Sequence, residues 1–234
     1  MGVADIRREY SQGSLRRADL DANPVAQFQR WFGQVAGGSS DGRWRKIGIA
    51  LFKLWHALLD HAPADPTAMI LATVDRDGRP STRTVLLKGV DERGFVFYTN
   101  YDSRKSRELA ENPKAALTFY WVDWERQVCV GGTVSKLSRE ETAAYFKGRP
   151  HGSQLAAWAS NQFDAVADRA MLEKKWTEMA AKFPGDVPLP PNWGGFVLNP
   201  DWIEFWQGRP SRLHDRFRYT RQPDGAWKLE RIAP

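Results

Sequence analysis

Apolar residues recur every three or four positions in two early segments of the chain. In residues 24–35 they are Val25, Phe28, Trp31, Phe32 and Val35. In residues 44–61 they are Ile47, Leu51, Leu54, Trp55 and Leu58. This spacing predicts two amphipathic helices, the first capped by Asn23. The glycine- and serine-rich stretch at 37–42 predicts a flexible loop between them.

From residue 68 the pattern changes to strands separated by turns. The predicted strands are 68–74, 82–90, 95–101, 115–122 and 126–137, with a short helix at 104–111. Residues 139–182 predict helix broken at Pro150, and a proline-rich connector at 184–191 follows. Further strands are predicted at 195–198, 202–206, 212–219 and 227–232. The fold class is therefore mainly β with flanking helices (α+β), and a meander of this kind closes naturally as a barrel.

Composition narrows the class of protein. With 234 residues and 42% hydrophobic content, the chain can bury a core as one domain. It shows no signal-peptide pattern and no apolar run of membrane-spanning length, so we expect a soluble, cytoplasmic protein. The single cysteine, Cys129, excludes internal disulfides and a cysteine metal site, and no metal is expected. The net charge of +6 is interleaved along the chain, which favours phosphorylated small molecules over nucleic acid.

Three positively charged groups of residues are candidate anion sites. The helix predicted at 104–111 opens with Arg104 and Lys105 after Ser103, although cations oppose the dipole at a helix N-terminus. A bound phosphate would explain them, and a solvated helix start is the alternative. On the strand 83–88, alternation sends Arg83 and Lys88 to opposite faces, which suggests two anion pockets or two solvated strand ends.

The third group is Arg212, His214 and Arg216, which a strand would place on one face, below an aromatic wall from residues 204–207. Such a row needs an anion or a planar π-system, unless it is a basic edge strand.

Tyr145, Arg149 and Ser153 are spaced by four residues, which would align them for a phosphate, although Pro150 interrupts the helix. A polar helix end is the alternative. No catalytic triad, nucleotide-binding glycine loop or paired metal ligands are present in the sequence, so the chemistry must come from a cofactor.

These residues closely resemble the pyridoxine (pyridoxamine) 5′-phosphate oxidase family over nearly the whole chain. The matching segments are 7–10, 65–69, 83–88, 97–100, 103–105, 125–128, 203–207 and 212–216. The resemblance implies an FMN-binding split β-barrel that forms a homodimer, with FMN at the subunit interface. It divides the chain into a mobile N-terminal segment, 1–23, and one domain, 24–234, with a helical insertion at about 37–62.

The resemblance also implies a role for individual residues. The FMN phosphate would be held by Arg83, Arg104 and Lys105. Other cofactor contacts would be Val85, Leu86, Lys88, Tyr98, Thr99, Gln127, Gln162, Trp206 and Arg216. The substrate phosphate would be held by Lys88, Tyr145, Arg149 and Ser153. The remaining residues would be Arg212 and His214 over the pyridine ring, Arg7 and Tyr10 closing over the substrate, and Asp65 as a polar group near C4′.

The implied activity is oxidation of pyridoxine or pyridoxamine 5′-phosphate to pyridoxal 5′-phosphate, with O2 reduced to H2O2. Two alternatives remain: oxidation of another aromatic substrate such as a phenazine precursor, or flavin or pyridoxal phosphate binding without turnover. The chain departs from the family at Phe163, where a serine is usual, and in the longer segment at 37–62. For that segment we predict a packed helix, with a membrane-surface element as the alternative, and no stable membrane association is expected.

Overall fold

The strands of the computed structural model form one antiparallel sheet. They are β1 Ala68–Val74, β2 Pro80–Leu86, β3 Gly89–Asp91, β4 Gly94–Asn100, β5 Lys114–Trp121, β6 Arg126–Lys136, β7 Trp193–Gln207, β8 Asp215–Arg221 and β9 Trp227–Arg231. Their order is β2-β1-β5-β6-β7-β4-β3, with β8 paired to β7 and β9 to β8. The sheet curls into a half-barrel, which confirms the predicted mainly β fold with flanking helices.

The structure describes residues 2–5, 9–37, 65–160, 162 and 165–234. Arg7, Phe163 and all but the first residue of the predicted insertion at about 37–62 lie outside the described residues. The predictions made for them stay predictions.

The longest strand, β7, joins the two halves of the sheet. Its first part pairs with β4 and its last part with β8, while β6 pairs along both. The register shifts between Gly131 and Gly132, where a Cβ on Gly132 would lie 2.0 Å from the Asn199 carbonyl oxygen. The prediction of separate strands at 195–198 and 202–206 was therefore wrong. The irregularity in β6 lets β7 continue through Pro200 as one strand.

The described helices are α1 Pro24–Val35, α2 Arg104–Glu111, α3 Arg139–Lys147, α4 His151–Ala159 and α5 Arg169–Lys182. The bounds predicted for α1 and α2 are confirmed, and Asn23 Oδ1 caps α1 by accepting from the Val25 N–H at 2.8 Å. Phe28 of α1 is buried, with its ring centroid 4.9 Å from those of Phe95 and Phe119. Among the described helices, none has both the length and the apolar character needed to cross a bilayer.

The chain that precedes α1 lies against the sheet. Leu15 is buried in the core, and its N–H donates to Asp215 Oδ2 at 3.0 Å. The N–H groups of Ser11 and Gln12 donate to Glu125 Oε2 at 2.7 and 2.8 Å. These bonds hold the second half of the N-terminal segment in the structure, and the mobility expected for residues 1–23 stays a prediction.

Candidate functional site

A cavity of about 490 Å³ lies where β2 and β4 meet the start of α2 and the corner between α3 and α4. It is lined by Arg83, Thr84, Val85, Leu86, Lys88, Tyr98, Thr99, Lys105, Tyr145, Arg149, Pro150, Ser153 and Gln162. All but Thr84 and Pro150 were predicted from the sequence. The lining includes four cationic side chains and no carboxylate among the described residues, so the cavity suits an anionic ligand.

Lys105 brings a buried ammonium group to this cavity. Its Nζ donates to Thr99 Oγ1 and Gln162 Oε1, each at 3.0 Å, and to Ser103 Oγ at 3.1 Å. All three acceptors are neutral. Burial, and then the nearby charge of Arg83, lower the pKa of Lys105 to about 8. An ammonium that is this poorly compensated favours a bound anion.

Ser103 precedes α2, but its side chain does not cap the helix. Its backbone has the extended conformation of an N-cap, but its hydroxyl accepts no bond from the N–H groups of the first turn. The hydroxyl instead pairs with Ser106 Oγ at 3.0 Å and accepts from Lys105. The residue therefore helps to position the lysine.

The guanidinium of Arg83 is anchored by groups of β1, β2 and α2. It donates to the Leu71 carbonyl oxygen, to the hydroxyls of Thr73 and Ser81, and to Glu108 Oε2 at 3.3 Å. Arg104, which is not among the lining residues, donates from Nε to Glu108 Oε1 at 2.7 Å. One carboxylate thus links both arginines that the family resemblance assigns to the FMN phosphate.

Arg83 and Lys88 line the same cavity, so the prediction of two pockets flanking one strand was wrong. Strand β2 ends at Leu86, and the chain then changes partner. The Leu87 N–H bonds to the Thr67 carbonyl oxygen, whereas the Lys88 N–H bonds to Val96 on β4. Simple alternation does not continue across such a change.

A stack of aromatic rings adjoins the cavity. The ring centroids of Tyr98 and Tyr145 are 3.8 Å apart, and those of Tyr98 and Trp193 are 5.5 Å apart, with nearly parallel planes. Burial raises the pKa of the Tyr145 phenol, so it remains a neutral donor. Trp193 was not predicted, since it follows a proline-rich connector without a periodic pattern.

Arg149 is held at the corner between α3 and α4. Its Cζ lies 4.6 Å from the ring centroid of Trp193, and one terminal nitrogen donates to the Ser153 carbonyl oxygen at 3.1 Å. Its Nε is buried without a hydrogen-bond partner. Arg149 also lines the cavity, so its guanidinium group can offer charge-assisted hydrogen bonds to a phosphate or carboxylate bound there.

A second group of predicted residues lies on β6, β7 and β8 or in segments beside them, and does not line the cavity. Gln127, Trp206 and Arg216 are direct neighbours across β6, β7 and β8. Tyr10 meets Trp206 and His214 edge-on, with centroid distances of 5.6 and 5.5 Å. Arg216 donates to Glu204 Oε1 at 2.6 Å.

The predicted strand at 212–219 begins only at Asp215, so the expected row of Arg212, His214 and Arg216 does not form. Residues 210–212 make a 3-10 turn in which Ser211 and Arg212 have positive φ values of 56° and 60°. Arg212 is exposed, while His214 Nδ1 accepts from the Arg209 N–H at 3.1 Å. Burial, followed by the charges of Arg212 and Arg216, lowers the pKa of His214, which favours the neutral ring.

Asp65 is exposed and does not line the cavity. Its Oδ1 accepts from the N–H and the hydroxyl of Thr67 at 2.9 and 2.7 Å. In the structure its carboxylate stabilises the turn that precedes β1.

Cations, neutral donors and stacked rings around one cavity are the chemistry that binds phosphorylated planar molecules, and they fit FMN. Fold and site together therefore define a half-barrel protein with a cavity for phosphorylated aromatic ligands. Residues 57–183 match the family model described as pyridoxamine 5′-phosphate oxidase. Residues 193–234 match the pyridoxine 5′-phosphate oxidase C-terminal dimerisation region.

Individual relatives agree with these matches. Pyridoxine/pyridoxamine 5′-phosphate oxidases of Paraburkholderia phymatum and Burkholderia mallei are both 50% identical to the chain, over 232 and 234 residues, and each match covers 99% of both proteins. The chain belongs to the pyridoxine/pyridoxamine 5′-phosphate oxidase family.

Solved structures share the fold. PhzG from Burkholderia lata, in complex with tetrahydrophenazine-1-carboxylic acid, is 35% identical with a TM-score of 0.70, covering 80% of this chain and 92% of that one. An FMN-binding protein from Nostoc punctiforme, 21% identical with a TM-score of 0.62, covers 84% of this chain and 100% of its own and shows the fold alone.

Proposed function

We propose that the protein is an FMN-dependent oxidase that converts pyridoxine 5′-phosphate or pyridoxamine 5′-phosphate to pyridoxal 5′-phosphate, with O2 as the electron acceptor. The observation that carries the proposal is that one cavity presents cations from two separate places. Arg83 and Lys105 come from β2 and α2, whereas Arg149 comes from the corner between α3 and α4. A cofactor and a substrate that each carry a phosphate need two such groups.

In this proposal Arg83, Arg104 and Lys105 bind the FMN phosphate. Cationic donors suit a dianionic phosphate, and charge-assisted hydrogen bonds contribute about 1.5–3 kcal/mol each. Val85, Leu86, Tyr98, Thr99 and Gln162 lie around the remainder of the cofactor. When bound, FMN would supply the redox chemistry: it would take a hydride from C4′ of the substrate and pass two electrons to O2, which would be reduced to H2O2. With pyridoxamine 5′-phosphate, water would hydrolyse the oxidised product to the aldehyde and release ammonia.

The substrate phosphate is assigned to Lys88, Tyr145, Arg149 and Ser153. Arg149 supports this assignment because it brings a guanidinium group to the same cavity that Lys88 and Tyr145 line. Holding the phosphate fixes the distance between the pyridine ring and the flavin, so the protein contributes chiefly by positioning.

The second group, Gln127, Trp206, Arg212, His214 and Arg216, completes the site across the interface of a homodimer. The match of residues 193–234 to a dimerisation region supports this arrangement. Tyr10 contacts Trp206 and His214, so the N-terminal segment closes over the same place. A neutral His214 has its proton on Nε2, because Nδ1 accepts a backbone hydrogen bond.

The proposal is tested by the preference for phosphorylated substrate. We expect Arg149→Gln to lower kcat/KM for pyridoxamine 5′-phosphate by about 10- to 100-fold, the loss of a charged phosphate contact, and to leave the much weaker turnover of pyridoxamine unchanged. Arg169→Gln, which removes an exposed arginine from α5, is the matched control and should change neither value. If the ratio of kcat/KM for pyridoxamine 5′-phosphate to that for pyridoxamine is unchanged in Arg149→Gln, the substrate phosphate lies elsewhere.

A second candidate is oxidation of a phenazine precursor, favoured by the 35% identity to the PhzG structure that holds tetrahydrophenazine-1-carboxylic acid. Side-by-side turnover assays with that compound and with pyridoxamine 5′-phosphate separate the two. We expect turnover of the phosphorylated substrate to dominate, because a phosphate offers more acceptor oxygens to Lys88, Tyr145 and Arg149 than a carboxylate does.

A further inference from the structure

Glu108 is a buried carboxylate beside a site built to attract anions. It is 4% exposed and lies on α2, one turn after Arg104. It does not line the cavity, and none of the roles assigned above requires it. A buried negative charge near a phosphate site would weaken phosphate binding unless it acts through other residues.

Both oxygens of Glu108 are engaged by donors from three elements. Oε1 accepts from Arg104 Nε at 2.7 Å. Oε2 accepts from the Ser81 hydroxyl at 2.6 Å, from the Thr73 hydroxyl, and from Arg83 at 3.3 Å. The carboxylate therefore ties β1 and β2 to the start of α2, where the cations assigned to the phosphate lie.

These contacts keep Glu108 ionised. Burial alone would raise its pKa, but hydrogen bonds from Ser81, Thr73 and Arg104 outweigh that effect and hold the pKa at about 2. The charge is shared between two guanidinium groups, which would otherwise repel each other across the site.

We propose that Glu108 is a positioning residue that orients the guanidinium groups of Arg83 and Arg104 toward the phosphate end of the cofactor, without contacting the cofactor itself. This inference rests on the proposed function. Arg104 is the residue that gains most from the anchor, because its side chain is 44% exposed and has many rotamers to lose.

Positioning and direct repulsion predict opposite signs for removal of the carboxylate. Repulsion by Glu108 would make FMN bind more tightly once the charge is gone. Positioning predicts weaker binding, because both arginines lose the acceptor that orders them. The geometry favours positioning, because Glu108 does not line the cavity and forms an ion pair with Arg83, which does.

The test compares FMN with riboflavin, which lacks the phosphate, on apoprotein by quenching of flavin fluorescence. We expect Glu108→Ala to weaken FMN about tenfold, the equivalent of one ordered hydrogen bond to the phosphate, and to change riboflavin binding less than twofold. Glu108→Gln keeps the volume and one acceptor, so it should lie between wild type and Ala. Glu111→Ala, an exposed position on the same helix, should match wild type.

Three results would overturn the inference. The first is unchanged or tighter FMN binding in Glu108→Ala. The second, which applies if the Ala variant does not fold, is unchanged or tighter FMN binding in Glu108→Gln. The third is that the binding of FMN and the binding of riboflavin weaken equally. The last would indicate a purely structural role. The paired variant Arg104→Ala, Lys105→Met distinguishes this failure from a failure of the proposed site. If this double variant binds FMN as tightly as wild type, the phosphate lies elsewhere. If the double variant binds FMN more weakly and the Glu108 variants do not, the phosphate site is supported and only the role of Glu108 is refuted.

Discussion

Replacing Lys105 by methionine removes a buried charge while keeping the length of the side chain. If the ammonium binds the FMN phosphate, the loss is that of one charge-assisted hydrogen bond, about 1.5–3 kcal/mol, or about 10- to 150-fold in Kd. The fold should respond in the opposite direction. The pKa of Lys105 falls from 10.5 to about 8 on folding, so the ammonium destabilises the ligand-free protein below pH 8 by up to about 3 kcal/mol.

The sign of the pH dependence follows from the same shift. Between pH 8 and 10.5 the unfolded chain holds more protons than the folded one, so wild-type stability rises with pH across this window through Lys105. Stability of Lys105→Met should not rise in this way. At pH 7 the variant should be at least as stable as wild type, because removal of the buried charge outweighs the lost bonds to Thr99, Ser103 and Gln162. FMN affinity of wild type should fall above about pH 8, and that of the variant should not.

The assays are urea unfolding of apoprotein and FMN titration by fluorescence, both from pH 7 to 10. Lys174→Met, which alters an exposed lysine on α5, is the control. Two results would refute the assignment of this ammonium to the phosphate. One is that Lys105→Met binds FMN as tightly as wild type, and the other is that FMN affinity falls above pH 8 to the same extent in both proteins.

Two further predictions concern the turn before β8 and the irregularity in β6. Arg212→Ala should lower kcat at least tenfold and leave FMN content unchanged, because its guanidinium is assigned to the substrate ring; loss of the yellow colour with normal substrate affinity in the remaining holoenzyme would reverse the assignment. Gly132→Ala should cost several kcal/mol in urea unfolding, since its Cβ would lie 2.0 Å from the Asn199 carbonyl oxygen, whereas Gly185→Ala meets no atom and should be neutral; equal stability of the two variants would contradict this.

Local signals explain what the sequence predicted well. Helix α1 has a capping Asn23 and a regular apolar stripe, and β1 has a bounded run of strand formers, so the bounds of both match the prediction. Helix α2 was delimited by its polar start and by the strand that follows it. Such signals lie within a few residues of the element that they define.

The differences arise where distant parts of the chain decide the local structure. Lys88 turns into the cavity because the chain leaves β1 for β4, a pairing that alternation within one strand does not encode. The turn at residues 210–212 has two non-glycine residues with positive φ, which sequence patterns rarely indicate.

The same reason explains the missed residue Glu108. Glu108 pairs with Arg104 one turn earlier on the same helix, but its bonds to Thr73 and Ser81 depend on the packing of α2 against β1 and β2.

The flavin spectrum under anaerobic conditions shows directly whether the protein oxidises its substrate. Purified protein reconstituted with FMN is mixed without oxygen with one equivalent of pyridoxamine 5′-phosphate, and absorbance near 450 nm is followed before and after air is admitted. We expect bleaching with formation of pyridoxal 5′-phosphate, and recovery of colour with release of H2O2 in air. A spectrum that stays yellow with pyridoxamine 5′-phosphate, and with pyridoxine 5′-phosphate in a parallel sample, would contradict it.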